Sequence, residues 1–85
     1  MENFPELNDS QVVLLRADVN TGHILDEEFN LAINEHQKVF TLFDAAEAAL
    51  LFAKEILSKN PKVECVIYKK GRTMLYHITP ENVHL

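Results

Sequence analysis

The sequence predicts an α+β fold in which an antiparallel sheet of four to five strands carries one long helix on one face, in the order β-β-β-α-β-β. Two observations support this two-layer sandwich. Apolar residues recur with the 3.6-residue period of a helix across 41–60. They alternate with the two-residue period of a strand across 63–69 and 73–78, on either side of a short turn. A chain of 85 residues is expected to form one domain, with an irregular lead-in over residues 1–9.

The helix is predicted to run from Thr41 to Asn60. Thr41 and Asp44 have the spacing of a capping box, and Pro61 cannot continue the hydrogen-bond ladder. The core-facing stripe covers about half of the circumference. It consists of Leu42, Phe43, Ala45, Ala46, Ala49, Leu50, Phe52, Ala53, Ile56 and Leu57. The opposite face is charged except for Leu51, where a monomer gains nothing from a large apolar side chain.

Three strands are predicted before the helix. The apolar run from Val12 to Leu15 indicates a strand over 11–18 with both faces partly covered, and Gly22 ends the turn that follows. Residues 23–33 fit either a half-buried strand or a helix capped by Asp26, and the strand is favoured. A short strand over 38–41 leads into the helix.

After the helix, two strands form a hairpin around the Lys69–Arg72 turn. In the first, Val63, Cys65 and Ile67 share one face and Glu64, Val66 and Tyr68 share the other. One helix can cover only one face of this sheet. We therefore expect the other face to meet solvent, a second copy of the chain or a partner.

Charge is distributed unevenly along the chain. The net charge is −5, and residues 1–36 hold eight of the 13 acidic residues but only Arg16 of the eight basic ones, which gives −7 for that part. An acidic chain repels phosphate backbones, so nucleic-acid binding is disfavoured. It would depend on the basic turn, with Tyr68 and Tyr76 as stacking platforms.

The sequence carries no signal for export or for a membrane. One cysteine excludes an intramolecular disulfide, the N-terminus lacks the pattern of a signal peptide, and no segment reaches the roughly 20 apolar residues that span a bilayer. We therefore expect a cytoplasmic protein.

No residue pattern predicts catalysis, a metal or a cofactor. The segment from Asp18 begins like a calcium loop, but Gly22 comes one position early and Phe29 occupies the place of the bidentate glutamate. The histidines and Cys65 lack zinc spacing, and Cys65 has the setting of a buried, inert thiol. With two glycines, no glycine-rich phosphate loop can form. We therefore expect no enzyme activity and no cofactor.

These observations favour a non-catalytic interaction module. It would be either a homo-oligomer or a partner of a basic protein, and its size and acidity are similar to those of immunity-type and antitoxin-like inhibitors. The alternatives are a small-ligand-binding domain and a nucleic-acid module that uses the Lys69–Arg72 turn. The predicted interaction surface consists of Leu51, Glu47, Glu64, Val66, Tyr68, Tyr76, Asp26, Glu27 and Glu28.

Overall fold

The computed structural model of the protein describes residues 2–83. These residues form a five-stranded antiparallel sheet with one helix packed on it. The predicted fold class and element order are confirmed. The elements are β1 (Val12–Asp18), β2 (Ile24–Leu25), β3 (Phe40–Phe43), α1 (Ala46–Lys59), β4 (Val63–Lys69) and β5 (Thr73–Ile78). Within residues 2–83, no helix is both long enough and apolar enough to cross a membrane.

Strand β1 lies at the centre of the sheet. It pairs with β4 along its whole length, from Val12 opposite Lys69 to Asp18 opposite Val63. On its other side it pairs with β3 through its first half and with β2 through its second half. The strand order β2-β1-β4-β5 places β5 at one edge.

The main core lies between the sheet and α1. Val12 and Leu14 of β1 contribute to it, which follows from the alternation of side chains along a strand. Its buried members are Val12, Leu14, Leu25, Ala49, Ala53, Ile56, Leu57, Val63, Cys65, Ile67 and Ile78. The helix stripe predicted from the sequence supplies four of these residues, so the periodicity identified the buried face of α1. The stripe was too wide, because Phe52 is 38% exposed and Leu42, which lies in β3, is 51% exposed.

The N-terminal segment covers part of the opposite face of the sheet. The Glu2 carboxylate accepts hydrogen bonds from the backbone N–H groups of Val39 (2.9 Å) and Phe40 (3.1 Å). Phe4 and Leu7 pack in a second cluster with Val13, Val39 and Phe40. The lead-in is irregular, as predicted, but the chain itself covers a region that we expected to meet solvent, a second copy or a partner.

Helix α1 begins at Ala46, five residues later than predicted. Thr41 to Phe43 belong to β3 instead, where Thr41 lies opposite Leu14 and Phe43 opposite Val12. The predicted capping box is therefore wrong, and Ala45 at the N-cap makes no side-chain hydrogen bond. The predicted end is confirmed within one residue, because α1 ends at Lys59.

Residues 26–30 form a turn rather than the strand or helix weighed from the sequence. Strand β2 contains only Ile24 and Leu25, and Leu31 returns to form a single antiparallel bridge with Leu25. The Asp26 carboxylate holds the turn together, because it accepts hydrogen bonds from the N–H groups of Glu28 (2.8 Å) and Asn30 (3.0 Å). An aspartate that bonds its neighbouring backbone in this way competes with regular secondary structure.

Candidate interaction surface along strand β5

Strand β5 forms a free edge of the sheet. It pairs with β4 on one side, and in the part of the chain that the structure describes no strand pairs with its other side. A free edge presents backbone N–H and C=O groups that can pair with another strand. At six residues, β5 is as long as a typical strand.

The side chains of β5 are unusually apolar for an exposed strand. Every residue from Thr73 to His77 is exposed. The exposed fractions are 56% for Met74, 37% for Leu75 and 42% for Tyr76. Since an exposed apolar edge strand is prone to pair with other chains, these residues form a candidate interaction surface.

A bulge interrupts the pairing of β5 with β4. Ile67 lies opposite Tyr76 and Tyr68 lies opposite Met74, so Leu75 is the extra residue on β5. The extra residue of a bulge is left out of the ladder. Leu75 therefore has no partner in β4, and its side chain is 37% exposed.

A groove runs beside β5 on the helix side of the sheet. Tyr76 and Ile78 from the strand, Leu50 and Lys54 from α1, and Val83 from the C-terminal turn line it. Most of the exposed lining is apolar. The groove extends the apolar surface of the edge toward the helix.

On the opposite face of the sheet, β4 and β5 carry a mixed surface. Val66 lies opposite His77, and the Nε2 atom of His77 is 3.0 Å from a carboxylate oxygen of Glu64. Met74 lies next to Tyr68 on the same face. The edge thus offers apolar groups on both faces of the sheet.

Charges of opposite sign flank β5. Lys69, Lys70 and Arg72 lie before its first residue, and Glu81 follows its last. The strand itself contains no Lys, Arg, Asp or Glu. The surface therefore has an apolar centre, a basic turn at one end, where Asp9 lies 3.5 Å from Lys70, and Glu81 beyond the other end, where Lys54 lines the groove.

The predicted interaction residues fall into separate groups. Val66 and Tyr76 lie at the β5 surface, together with Glu64. Leu51 lies on the outer face of α1 and is 70% exposed, and Glu47 precedes it by one turn. Single exposed apolar residues are common on protein surfaces, so Leu51 by itself does not mark a site.

Tyr68 lies beneath the N-terminal segment. The Phe4 ring contacts its ring edge to face, with the centroids 5.8 Å apart. Tyr68 shares the face of Val13, whereas Tyr76 shares the face of Ile67 beneath the helix. The two tyrosines therefore lie on opposite faces of the sheet and do not form one stacking platform with the basic turn.

Two of the three acidic residues at 26–28 have internal roles. Asp26 is buried, and it accepts a hydrogen bond from Gln37 Nε2 at 2.7 Å in addition to those within its turn. These hydrogen bonds lower the pKa of Asp26, and the hydrogen bond from Gln37 has the largest effect. Glu27 accepts a hydrogen bond from the Thr41 hydroxyl at 2.7 Å, and both Glu27 and Glu28 are exposed.

The candidate calcium ligands do not converge. Asp18 accepts hydrogen bonds from the N–H groups of Asn20 (2.8 Å) and Thr21 (3.1 Å), which lower its pKa. Across residues 2–83, no three His, Cys, Asp or Glu side chains are grouped so that they could hold a metal ion.

Cys65 is fully buried in the main core, as predicted. Burial raises the pKa of its thiol to about 12, and nearby Arg16 opposes this change. A buried thiol with a raised pKa is a poor nucleophile.

Sequence reasoning missed several residues of the β5 surface. Met74, Leu75 and Leu50 were assigned to strand or helix faces without a role. The available signal was the unbroken run of residues without Lys, Arg, Asp or Glu from Thr73 to Ile78, which gives β5 no charged face. Comparisons with protein-family models, with curated proteins and with solved structures find no match for this chain.

Proposed function

We propose that the protein is a non-catalytic interaction module that binds a second polypeptide along the free edge of β5. The observation that carries the proposal is an exposed strand of six residues with large apolar side chains and no charge within it. Addition of a strand to such an edge combines backbone hydrogen bonds with side-chain pockets. The ligand is an extended segment with apolar side chains, because it must pack against Met74, Leu75 and Tyr76.

The opposite edge of the sheet, formed by β2 and β3, is made of shorter strands and is partly occupied. Strand β2 has two residues, and the returning chain at Leu31 and Ala32 already pairs with it. Strand β3 has four residues, and the N–H group of Phe40 already donates to the Glu2 carboxylate. The Gln37 side chain and the Asp26 turn secure this region. Natural proteins protect sheet edges with short strands and covering loops of this kind. The contrast between the two edges supports β5 as the binding surface.

The groove beside β5 gives the bound segment a place for side chains. A strand paired with β5 would alternate its residues between the Leu50 and Val83 side and the Val66 and Met74 side. Specificity then comes from the apolar residues of the ligand that fit the groove. Affinity comes from the backbone hydrogen bonds between the ligand and β5.

Site-specific photocrosslinking in cells that make the protein tests this proposal. A benzophenone amino acid replaces Leu75 at the edge, or Leu51 on the outer face of α1 as a matched control, since both positions are apolar and exposed. We expect covalent polypeptide adducts from position 75 and few from position 51. Adducts with another protein or with a second copy both support the proposal. Adducts from position 51 alone, or from neither position, would overturn it.

A further inference from the structure

We infer that the polypeptide bound at β5 is the β5 strand of a second copy, paired in antiparallel orientation about a two-fold axis. The inference rests on the proposed function and names the partner. The axis is perpendicular to the sheet, so two five-stranded sheets become one continuous sheet with both helices on the same face. A two-fold interface uses the same surface of each copy, which requires that the surface be self-complementary.

The charges at the ends of β5 meet this requirement. In an antiparallel pair centred on Leu75 and Tyr76, the Lys70–Arg72 turn of one copy lies beside the Thr79–Asn82 turn of the other, which carries Glu81. The symmetry repeats this contact at both ends of the strand pair. A parallel pair would instead place the two basic turns together and the two acidic turns together. Charge therefore selects the antiparallel orientation.

The side chains of β5 also suit a copy of themselves. Near the axis, Leu75 and Tyr76 of the two copies meet, and no charged side chain is buried in the strand pair. On the helix side, the groove lined by Leu50 and Val83 continues across the axis into the groove of the second copy. Apolar surface is thus removed from water on both copies, which is the main driving force for association.

Of the acidic residues in 1–36, Glu6 and Asp9 lie beside the Lys70–Arg72 turn, whereas the acidic turn at 26–28 lies far from this interface. The turn at 26–28 follows β2, which lies three strands from β5 in the sheet. In the proposed dimer the two acidic turns are seven strand spacings apart, which at about 4.8 Å per strand is about 34 Å. This distance exceeds the screening length of about 8 Å at physiological salt, so repulsion between the acidic turns of two copies is largely screened.

Sedimentation equilibrium with charge-swapped variants tests the antiparallel dimer. We expect the wild-type protein to sediment as a dimer. Lys70→Glu or Glu81→Lys alone should raise the dissociation constant of the dimer roughly tenfold, because each substitution places like charges opposite each other at both ends of the strand pair. An equimolar mixture of the two variants restores the dimer, because attraction returns at both ends of the mixed pair. The ion pair of Lys70 with Asp9 lies within one copy and is highly exposed, so its loss has little effect on folding.

Leu75→Lys provides a second variant that acts at the centre of the strand pair. Urea unfolding of each variant checks that the fold is intact. A wild-type protein that remains monomeric at about 200 µM would overturn the inference. A dimer that none of these variants weakens would also overturn it, because the interface would then lie elsewhere. Photocrosslinks from position 75 to a different protein, with a monomeric wild type, would leave the proposed function standing and remove only the second copy.

Discussion

The buried guanidinium of Arg16 donates a hydrogen bond to the Thr41 hydroxyl, which in turn donates to Glu27. Arg16 is 1% exposed and extends from the centre of β1 toward β3. Its Nη1 atom also donates to the Val39 carbonyl oxygen at 3.5 Å. A buried charge is tolerated only when it is paired and hydrogen-bonded. Through this chain of contacts, β1, β3 and the acidic turn are held together.

Replacement of Thr41 by valine tests this chain of hydrogen bonds from Arg16 through Thr41 to Glu27, which we call the relay. Valine preserves the shape of the side chain but removes the hydroxyl, so Arg16 and Glu27 each lose a partner. We expect the free energy of unfolding to fall by about 1–3 kcal/mol. In an Arg16→Met background, the same substitution should cost much less, because the buried charge is gone. Urea unfolding of the two single variants and the double variant measures the coupling, and equal effects of Thr41→Val in both backgrounds would show that the relay contributes nothing.

The N-terminal segment stabilises the fold by covering the second face of the sheet. Leu7 is 8% exposed, and we expect Leu7→Ala to lower the free energy of unfolding by about 2–4 kcal/mol. The matched control is Leu51→Ala, which removes the same atoms from a side chain that is 70% exposed and should change stability by less than about 0.5 kcal/mol. Chemical denaturation measures both. Equal effects of the two substitutions would mean that the segment does not pack on the sheet in solution.

The Gln37 side chain controls the ionisation of Asp26. Its hydrogen bond is the largest cause of the lowered pKa of Asp26. Gln37→Met removes this donor, so the pKa of Asp26 should rise toward the ordinary value of about 3.9. Carboxyl-carbon NMR titration follows the change. The pKa of Asp18, which backbone N–H groups lower, should stay the same and serves as the internal control.

The lowered pKa values of Asp18 and Asp26 also determine how the free energy of unfolding changes as the pH falls. Because each pKa is lower in the folded chain than in the unfolded one, the charged carboxylates stabilise the fold above about pH 4. This stabilisation is lost as the pH falls through the folded-state pKa values. The Gln37→Met variant should therefore lose less stability than the wild type between neutral and acidic pH, and an unchanged acid profile would contradict the assigned role of Gln37.

Cys65 should resist thiol reagents in the folded protein. Its pKa of about 12 keeps the thiol protonated at pH 8, and its side chain is fully buried. We expect an aromatic disulfide reagent to react only as fast as the protein unfolds, and to react rapidly in denaturant. Stoichiometric reaction of the native protein within the mixing time would show that Cys65 is accessible.

Local pattern predicted most elements of this fold, and it was wrong where distant contacts decide the structure. The period of two identified β4 and β5, and the period of 3.6 identified the buried face of α1. Thr41 carried the local features of a helix start, but pairing with Leu14 of β1 drew it into β3. That pairing depends on a strand 27 positions earlier in the chain, which no capping pattern reflects.

The binding surface that we propose was predicted only in part for the same reason. The sequence prediction included Tyr76, Val66 and Glu64 from their strand positions, but the edge position of β5 depends on the strand order of the whole sheet. Phe4 could not be assigned a role, because its contact with Tyr68 forms only after the N-terminus folds across the sheet. The acidic residue Asp26 was placed on the surface because nothing in its sequence context reveals its hydrogen bond with Gln37.

Amide NMR spectra recorded over a dilution series test the central claim most directly. If β5 pairs with β5 of a second copy, dilution from about 1 mM to about 10 µM should shift the resonances of Thr73 to His77 and of Leu50 and Val83. The amides of β5 should also exchange with solvent faster at the lower concentration, because their hydrogen bonds to the second copy are lost. Resonances of β2 and of the outer face of α1 around Leu51 should stay in place. Spectra that do not change with concentration, or changes centred on Leu51, would contradict pairing at the β5 edge.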